Sequence, residues 1–267
     1  MTRTNLLASL LLIVTLAVSV SAEETKKILL LGSKRDHPVG THEYMAGLGV
    51  LAKCLGEVPG LDVSIHDASE PWPEGPKLLK DADGIVMSLG EGSQWEQVDP
   101  DRYRALRALA DRGGAVIGIH WAIGGKDGKY IPGHLALMGG CHGGDDRKYI
   151  FTETDLKVAQ PRHPITNGID DLRLKDEYYY RLKFAKTGTV TPVMKAVIDG
   201  RPETVAWAFQ RPDGGRSFGF SGMHYHDNWS IESLRRLIVQ GLLWTLDRPI
   251  PKKGFPVPVS EDDLKLD

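Results

Sequence analysis

The run Gly113-Gly114-Ala115-Val116-Ile117-Gly118-Ile119-His120-Trp121-Ala122 sets a short apolar segment before a turn whose tip is an imidazole. Strand, sharp turn and helix in that order is how many α/β enzymes expose a nucleophile, yet here the tip is histidine rather than serine or cysteine. An imidazole so placed can serve as base, acid or metal ligand. His120 is one of nine histidines. His37 and His42 follow the first apolar run, His134 and His142 lie in a glycine-rich segment, and His224 and His226 stand two apart in GMHYHDNW. Glu177 follows Asp176 and precedes three tyrosines. One carboxylate of such a pair is expected to face solvent. The other, among aromatic rings, is expected to have a raised pKa and to donate a proton. Trp72, Trp95, Trp121 and Trp229 fall in expected loops, where exposed rings would suit sugar stacking or simply pack.

Each histidine also has a plain structural reading: a solvated loop residue at His37, a helix start at His42, a loop pin at His134 or His142, a core hydrogen-bond donor at His224 or His226. Their accumulation after expected strands favours a site. The candidates are His120, Glu177 and His224 for catalysis, and His37, His42, Trp95, Trp121 and His226 for substrate binding. HPVGTH, HLALMGGCH and HYH are not recognised zinc signatures. No cofactor is certain, but a divalent metal such as zinc can be assembled from separate loops, with His42, His120, His142 and His224 as candidate ligands.

These residues need a scaffold. Lys27–Gly32 reads as a strand covered on both faces, and Met45, Leu48, Leu51, Ala52, Leu55 and Val58 recur at helical spacing. Glycines 47, 49 and 56 weaken that helix, so close packing must sustain it. Leu61–His66 and Ala82–Leu89 read as strands. Asp99 caps a helix with Pro100 at its first position, with Tyr103, Leu106 and Ala110 as the buried stripe and Gly113 closing it. Ala115–Ile119 is the next strand. Alternating strands and helices predict a doubly wound, mostly parallel α/β sheet, with ligands beyond the carboxyl ends of its strands. The second half changes to strands at 176–184, 190–198, 204–210 and 217–222, with a hairpin at Pro212-Asp213-Gly214-Gly215. These are expected to extend or flank the sheet. A final helix over Ile231–Thr245 has Asn228 and Ser230 as candidate caps.

The first 22 residues have Arg3, an apolar stretch and Val20-Ser21-Ala22, and so read as a cleaved secretory signal. An exported protein, periplasmic or extracellular, is expected, with no stable membrane span after cleavage. One domain over 23–248 and an irregular tail over 249–267 follow. With Lys+Arg 33 against Asp+Glu 35, the net charge of −2 gives no reason to expect nucleic acid. Of the two cysteines, Cys54 reads as a buried small apolar residue, and two cysteines make no disulfide framework.

Taken together, KILLLGSKRDHPVGTHEY, GGAVIGIHWA, HPITNGI, DEYYY and GRSFGFSGMHYHDNW resemble the ThuA-like (trehalose utilisation) family over Lys27 to Asp247. The resemblance implies a flavodoxin-like, class I glutamine amidotransferase-like fold. There the elbow would carry a cysteine; His120 stands in its place, so glutaminase chemistry is not expected. It further implies a carbohydrate substrate handled through a 3-keto-sugar, cleaved by elimination or isomerised through an enediol, as a hydrolase, lyase or isomerase would do. Such steps need a base, an acid and an enolate stabiliser. His120 or His224 would be the base, Glu177 the acid, and a histidine-bound metal or histidine donors the stabiliser. The alternatives are a non-catalytic sugar- or metal-binding module, or a hydrolase using Ser88, Ser93 or Cys141.

Overall fold

The computed structural model describes residues 24–266, so the expected signal at 1–22 lies outside the described residues. In chain order the elements are β1 (Lys26–Gly32), α1 (Tyr44–Leu55), β2 (Leu61–Asp67), α2 (Gly75–Lys80), β3 (Gly84–Ser88), α3 (Gly92–Val98), α4 (Pro100–Asp111), β4 (Ala115–Ile119), β5 (Gly124–Gly125), α5 (Ile131–Met138) and β6 (Gly140–Gly143). There follow β7 (Lys148–Val158), β8 (Leu172–Tyr180), β9 (Lys183–Phe184), β10 (Thr189–Ile198), β11 (Arg201–Gln210), β12 (Arg216–Phe220) and α6 (Glu232–Thr245).

The main sheet has the order β2-β1-β3-β4-β12-β11-β10-β7-β8. From β2 to β12 neighbouring strands run parallel; from β12 to β8 they alternate antiparallel. The parallel part has the flavodoxin-like order, and its strand order reverses between β1 and β3, where such sheets open a crevice at their carboxyl ends. The late strands extend the same sheet. A small second sheet, β5-β6-β9, lies beside it.

The apolar run of β1 divides its side chains between two cores. Ile28 and Leu30 join the cluster under α1 and α6, while Leu29 and Leu31 join the one under α2 and α4. Val86 opposes Ile85 and Met87 in β3 in the same way, and Ile117 opposes Val116 in β4. A strand covered on both faces has no polar alternation to show, which is why these segments read as continuous apolar runs.

Asp99 accepts hydrogen bonds from the Asp101 and Arg102 backbone N–H groups at 2.8 and 3.2 Å, as its cap position demands, and so satisfies two of the free donors at the start of α4. Tyr103 is half-buried rather than part of the fully buried stripe. Gly47 in α1 is forced by packing: a Cβ there would stand 2.6 Å from the Trp229 indole nitrogen.

Three expectations need correction. Asn228 and Ser230 do not cap α6: Asn228 donates to the Lys175 carbonyl and Ser230 to the Asp227 carbonyl, pinning the short 3-10 turn His226–Ser230. Strand β8 starts at Leu172 rather than Asp176 and stops at Tyr180, because Arg181 turns into the left-handed region with φ 51°. The glycine-rich stretch around His134 holds the helix α5, with Pro132 in its first turn and Gly139 closing it at φ 73°. Beyond Pro249 the described chain has one 3-10 turn, Asp262–Leu264, and lies back on α6, where Arg235 donates to the Val257 carbonyl at 3.1 Å.

Candidate metal and acid–base centre

Strand β4 ends at Ile119 in extended conformation, and His120 reverses the chain with φ 52° before a 3-10 turn, His120–Ile123. The elbow therefore exists. His42, at φ 50°, and Met223, at φ 81°, are strained in the same sense. Non-glycine residues in this region cost on the order of 1–3 kcal/mol, and here two of the three are themselves site histidines and the third precedes one.

His42, His120, Glu177 and His224 converge on one point. Their candidate ligand atoms all lie within 4.8 Å of one another, and all four residues are buried. His120 Nε2 is 2.9 Å from His42 Nε2, 3.2 Å from His224 Nδ1 and 3.2 Å from a Glu177 oxygen. His224 Nδ1 is 3.0 Å from the same oxygen, and the Tyr179 hydroxyl is 3.2 Å from His120 Nε2.

The surrounding bonds decide the tautomers. His120 Nδ1 donates to the Ser221 carbonyl at 2.8 Å, leaving Nε2 bare in the neutral ring. His42 Nδ1 is 2.7 Å from Asp36 Oδ1. Burial pushes the Asp36 carboxyl up, but hydrogen bonds from His42 and His37 outweigh it and hold it well below the usual carboxylate range. Asp36 is thus ionised and must accept the Nδ1 proton, so His42 Nε2 is bare as well. Burial, opposed by that bond, brings His42 down to about 4. Two bare nitrogen lone pairs 2.9 Å apart, next to a carboxylate, repel unless a proton or a cation lies among them. Imidazoles whose far nitrogens are held by a carboxylate and a carbonyl are how proteins orient metal ligands. The donor set, three imidazoles and one carboxylate, fits a borderline divalent ion such as zinc.

Glu177 differs from expectation. Burial raises its carboxyl, but the hydrogen bonds that His120 and then His224 give it when a proton lies among them outweigh burial and hold it well below the usual range. It is a base or ligand at neutral pH, not an acid. Its neighbour Asp176 does not face solvent: it is wholly buried, accepts from the Met223, His224 and Glu177 N–H groups at 2.6, 3.0 and 2.9 Å, and is itself the carboxyl that burial raises. Asp176 positions the His224 loop.

The other candidates scatter. His37 is at the mouth, its Nδ1 2.9 Å from Asp36 Oδ1 and its ring 3.6 Å from that of His42. His142 is outside the converging group. It stacks on Tyr179 at 3.9 Å, and Tyr179 stacks on His120 at 4.7 Å, so His142 supports the centre through the tyrosine. Burial lowers His142 to about 3. Gly124 permits this arrangement, since a Cβ there would stand 1.7 Å from the His142 carbonyl oxygen. His226 gives Nε2 to the Leu264 carbonyl at 3.0 Å. The four expected loop tryptophans are all buried, and two belong to the core cluster under α2 and α4: Trp95, on α3, donates to the Ala68 carbonyl and packs on Trp72. Trp121 lines the cleft, at 5.5 Å from the Tyr179 ring.

That cleft, about 520 Å³, is bounded by Asp36, His37, His142, Glu177 and Tyr179 among others and opens onto the centre. Tyr44 and Tyr179 were not singled out from the sequence. A DEYYY strand marks one aromatic residue in two as facing the site, but not which; Tyr44 donates to Asp36 at 3.2 Å across a loop whose shape no spacing reveals. Cys54 and Cys141 are both free and buried, pushed by burial up to about 11 and about 12.

The profile of a family described as ThuA, trehalose utilisation, matches residues 29–245. Among solved structures, a ThuA-like protein from Bacteroides uniformis is 13% identical, with 86% of this chain and 95% of that one covered and a TM-score of 0.62. The glutaminase domain of a Trypanosoma brucei CTPS with bound acivicin is 13% identical, covering 89% and 98%, with a TM-score of 0.49. A glutamine amidotransferase from Thermotoga maritima is 12% identical, covering 84% and 97%, with a TM-score of 0.43. No curated protein matches.

Proposed function

The chain belongs to the ThuA, trehalose utilisation, family, and from that premise we propose that it cleaves or isomerises a 3-keto-glycoside at a divalent-metal centre formed by His42, His120, Glu177 and His224. The observation that carries this reading is the convergence of bare imidazole nitrogens and an ionised carboxylate on one point beside an open cleft. A divalent cation held there would supply a Lewis acid that stabilises negative charge on a substrate oxygen.

The rest of the chemistry belongs to the chain. A 3-keto group acidifies the hydrogen at carbon 2. His37 lines the cleft, and its Nδ1 is held by Asp36, leaving Nε2 as the free basic nitrogen. His37 takes the carbon 2 proton, the electron pair of that C–H bond becomes a carbon 1–carbon 2 double bond, and the carbon 1–oxygen bond breaks. The departing oxygen receives a proton back from the imidazolium. When the carbon 1–oxygen bond stays intact, the same electron pair forms a carbon 2–carbon 3 enediolate; the carbon 2 hydroxyl proton passes to the carbon 3 oxygen, and return of the abstracted proton to carbon 3 gives the 2-keto isomer. Tyr179, stacked between His120 and His142, keeps its proton, since burial pushes its hydroxyl well above the usual range, and offers a hydrogen bond to substrate oxygen. Neither cysteine is placed for a glutaminase: both thiols are buried and held protonated. The protein works outside the cytoplasm after loss of residues 1–22.

The test is metal content by mass spectrometry and turnover of a panel of 3-keto-disaccharides by NMR, with native protein, His120→Ala and His37→Gln. The reading expects metal and turnover in the native protein, neither in His120→Ala, and metal without turnover in His37→Gln. A metal-loaded native protein that turns over no keto-sugar overturns it and leaves a sugar- or metal-binding module.

A further inference from the structure

Strands β7 and β8 pair antiparallel, with Tyr149 opposite Tyr179 and Phe151 opposite Glu177. Directly opposite residues in such a ladder put their side chains on the same face. Tyr149 and Phe151 therefore stand on the face that carries Glu177 and Tyr179 into the centre. Both line the cleft, and both are 53% exposed. Their rings meet edge to face at 6.1 Å, and the Phe151 ring is 5.2 Å from that of His224.

Farther along β7 the same outward row is charged. Glu153 and Asp155 pair with Arg173 of β8, the usual surface of an outer strand. The row turns aromatic only where it reaches the cleft. Two adjacent large rings half in water, beside a polar centre, are the kind of exposed apolar patch that marks a binding surface.

We propose that Tyr149 and Phe151 form the subsite for the group on the far side of the cleaved oxygen, and that this group carries a ring with an apolar face, either a second pyranose or an aryl ring. A substrate of one ring held at the centre would leave both aromatics in water. One with a second ring would cover them, the apolar ring face lying on the aromatic faces. The substrate class is thus a disaccharide or aryl glycoside rather than a free keto-hexose. This rests on the keto-glycoside reading for the identity of the reacting ring, but it is tested by binding alone.

Dissociation constants are measured by calorimetry for methyl glucoside, for cellobiose and maltose, and for 4-nitrophenyl glucoside, each glucoside in both anomers. The native protein is expected to prefer a two-ring probe about tenfold over methyl glucoside, from two aromatic contacts of ordinary strength. Tyr149→Ala with Phe151→Ala is expected to bring that preference to within about twofold, while Tyr149→Phe with Phe151→Tyr keeps it; near-ultraviolet circular dichroism checks the fold of both. Whether disaccharide or nitrophenyl probe shows the larger loss identifies the ring. The absence of a two-ring preference in the native protein, or its survival in the double alanine variant, overturns the subsite. Should no keto-sugar be turned over while the preference and its loss are both seen, the subsite stands and the keto-glycoside chemistry falls.

Discussion

Two of the buried histidine–glutamate pairs among the described residues have the same composition and different fates. His134 Nδ1 is 2.9 Å from Glu96, with both side chains wholly buried between α5 and α3. His120 Nε2 is 3.2 Å from Glu177, and these side chains are 2% and 8% exposed. Only the second is a candidate centre. Around His134 the far atoms, His134 Nε2 and Glu96 Oε1, have no partner among the described residues, and neither residue borders the cleft. Around His120 every neighbour turns a basic atom inward, and a cleft leads out. Burial and pairing do not by themselves make a site. Convergence of several bare ligand atoms with access does.

The contrast can be broken most directly at its two histidines. His120→Ala is expected to lose bound metal and to lower keto-sugar turnover by about a thousandfold or more, within the range that positioned acid–base and metal groups supply. His134→Ala is expected to keep the metal stoichiometry while losing about 3–5 kcal/mol of stability, because it strands the Glu96 carboxylate in the core. Metal analysis and thermal unfolding of the two variants side by side settle it. Metal loss from a folded His134→Ala protein would end the distinction.

A sharper form replaces the sealed pair whole. Glu96→Met with His134→Leu removes both partners and should recover all but about 1–2 kcal/mol of the single-variant loss, since a buried pair exchanged for apolar residues of similar volume is close to neutral. Denaturant unfolding measures this. The same exchange at His120 and Glu177 should leave a folded protein with no metal.

Acid titration separates the regions next. His42 is lowered to about 4 and His142 to about 3, below the ordinary 6.5. The unfolded chain therefore takes up protons at these residues before the folded one does, and stability rises with pH across that interval. Metal-free protein should lose stability as pH falls from about 6.5 towards 4, by on the order of 3 kcal/mol for His42 alone. Asp36 and Glu177, held below the usual carboxylate range, add a loss of the same sign at lower pH. Melting temperatures of the native protein and His42→Gln, compared across that interval, should show a shallower slope in the variant. An unchanged slope would remove His42 from the account.

The smallest effect is expected at the thiols. Cys141→Ala should leave turnover within about twofold and cost about 1 kcal/mol of stability, as a modest buried truncation does. Native Cys141 should resist iodoacetamide, since its thiol is buried and pushed up to about 12. Rapid alkylation with loss of activity would revive a thiol mechanism.

The scaffold was largely legible because it depends on local pattern. The apolar runs of β1, β3 and β4, the Asp99-Pro100 helix start and the Pro212–Gly215 turn are each read within about ten residues. Helices α3 and α5 carry glycine or proline beside short apolar stretches and look like loop, while β7 follows three apolar residues near its start with a mostly polar run; packing makes all three regular. Of the residues that converge, His120, His224 and His42 are legible from residue type and position after strands, and Glu177 from its place beside Asp176 and the tyrosines.

What the sequence determined by itself was thus the layered α/β scaffold, the elbow at His120 and the pool of chemically capable residues. What only the tertiary structure decided was which of them meet: that Glu177 is held ionised while Asp176 is the carboxyl raised, that His142 acts through Tyr179, and that His134 and Trp95 belong to the core. Periodicity reports which face a side chain takes along one element. Protonation and ligation depend on distances of about 3 Å between atoms far apart in sequence, such as the 78 residues between His42 and His120. Those distances exist only once the strands have been laid side by side.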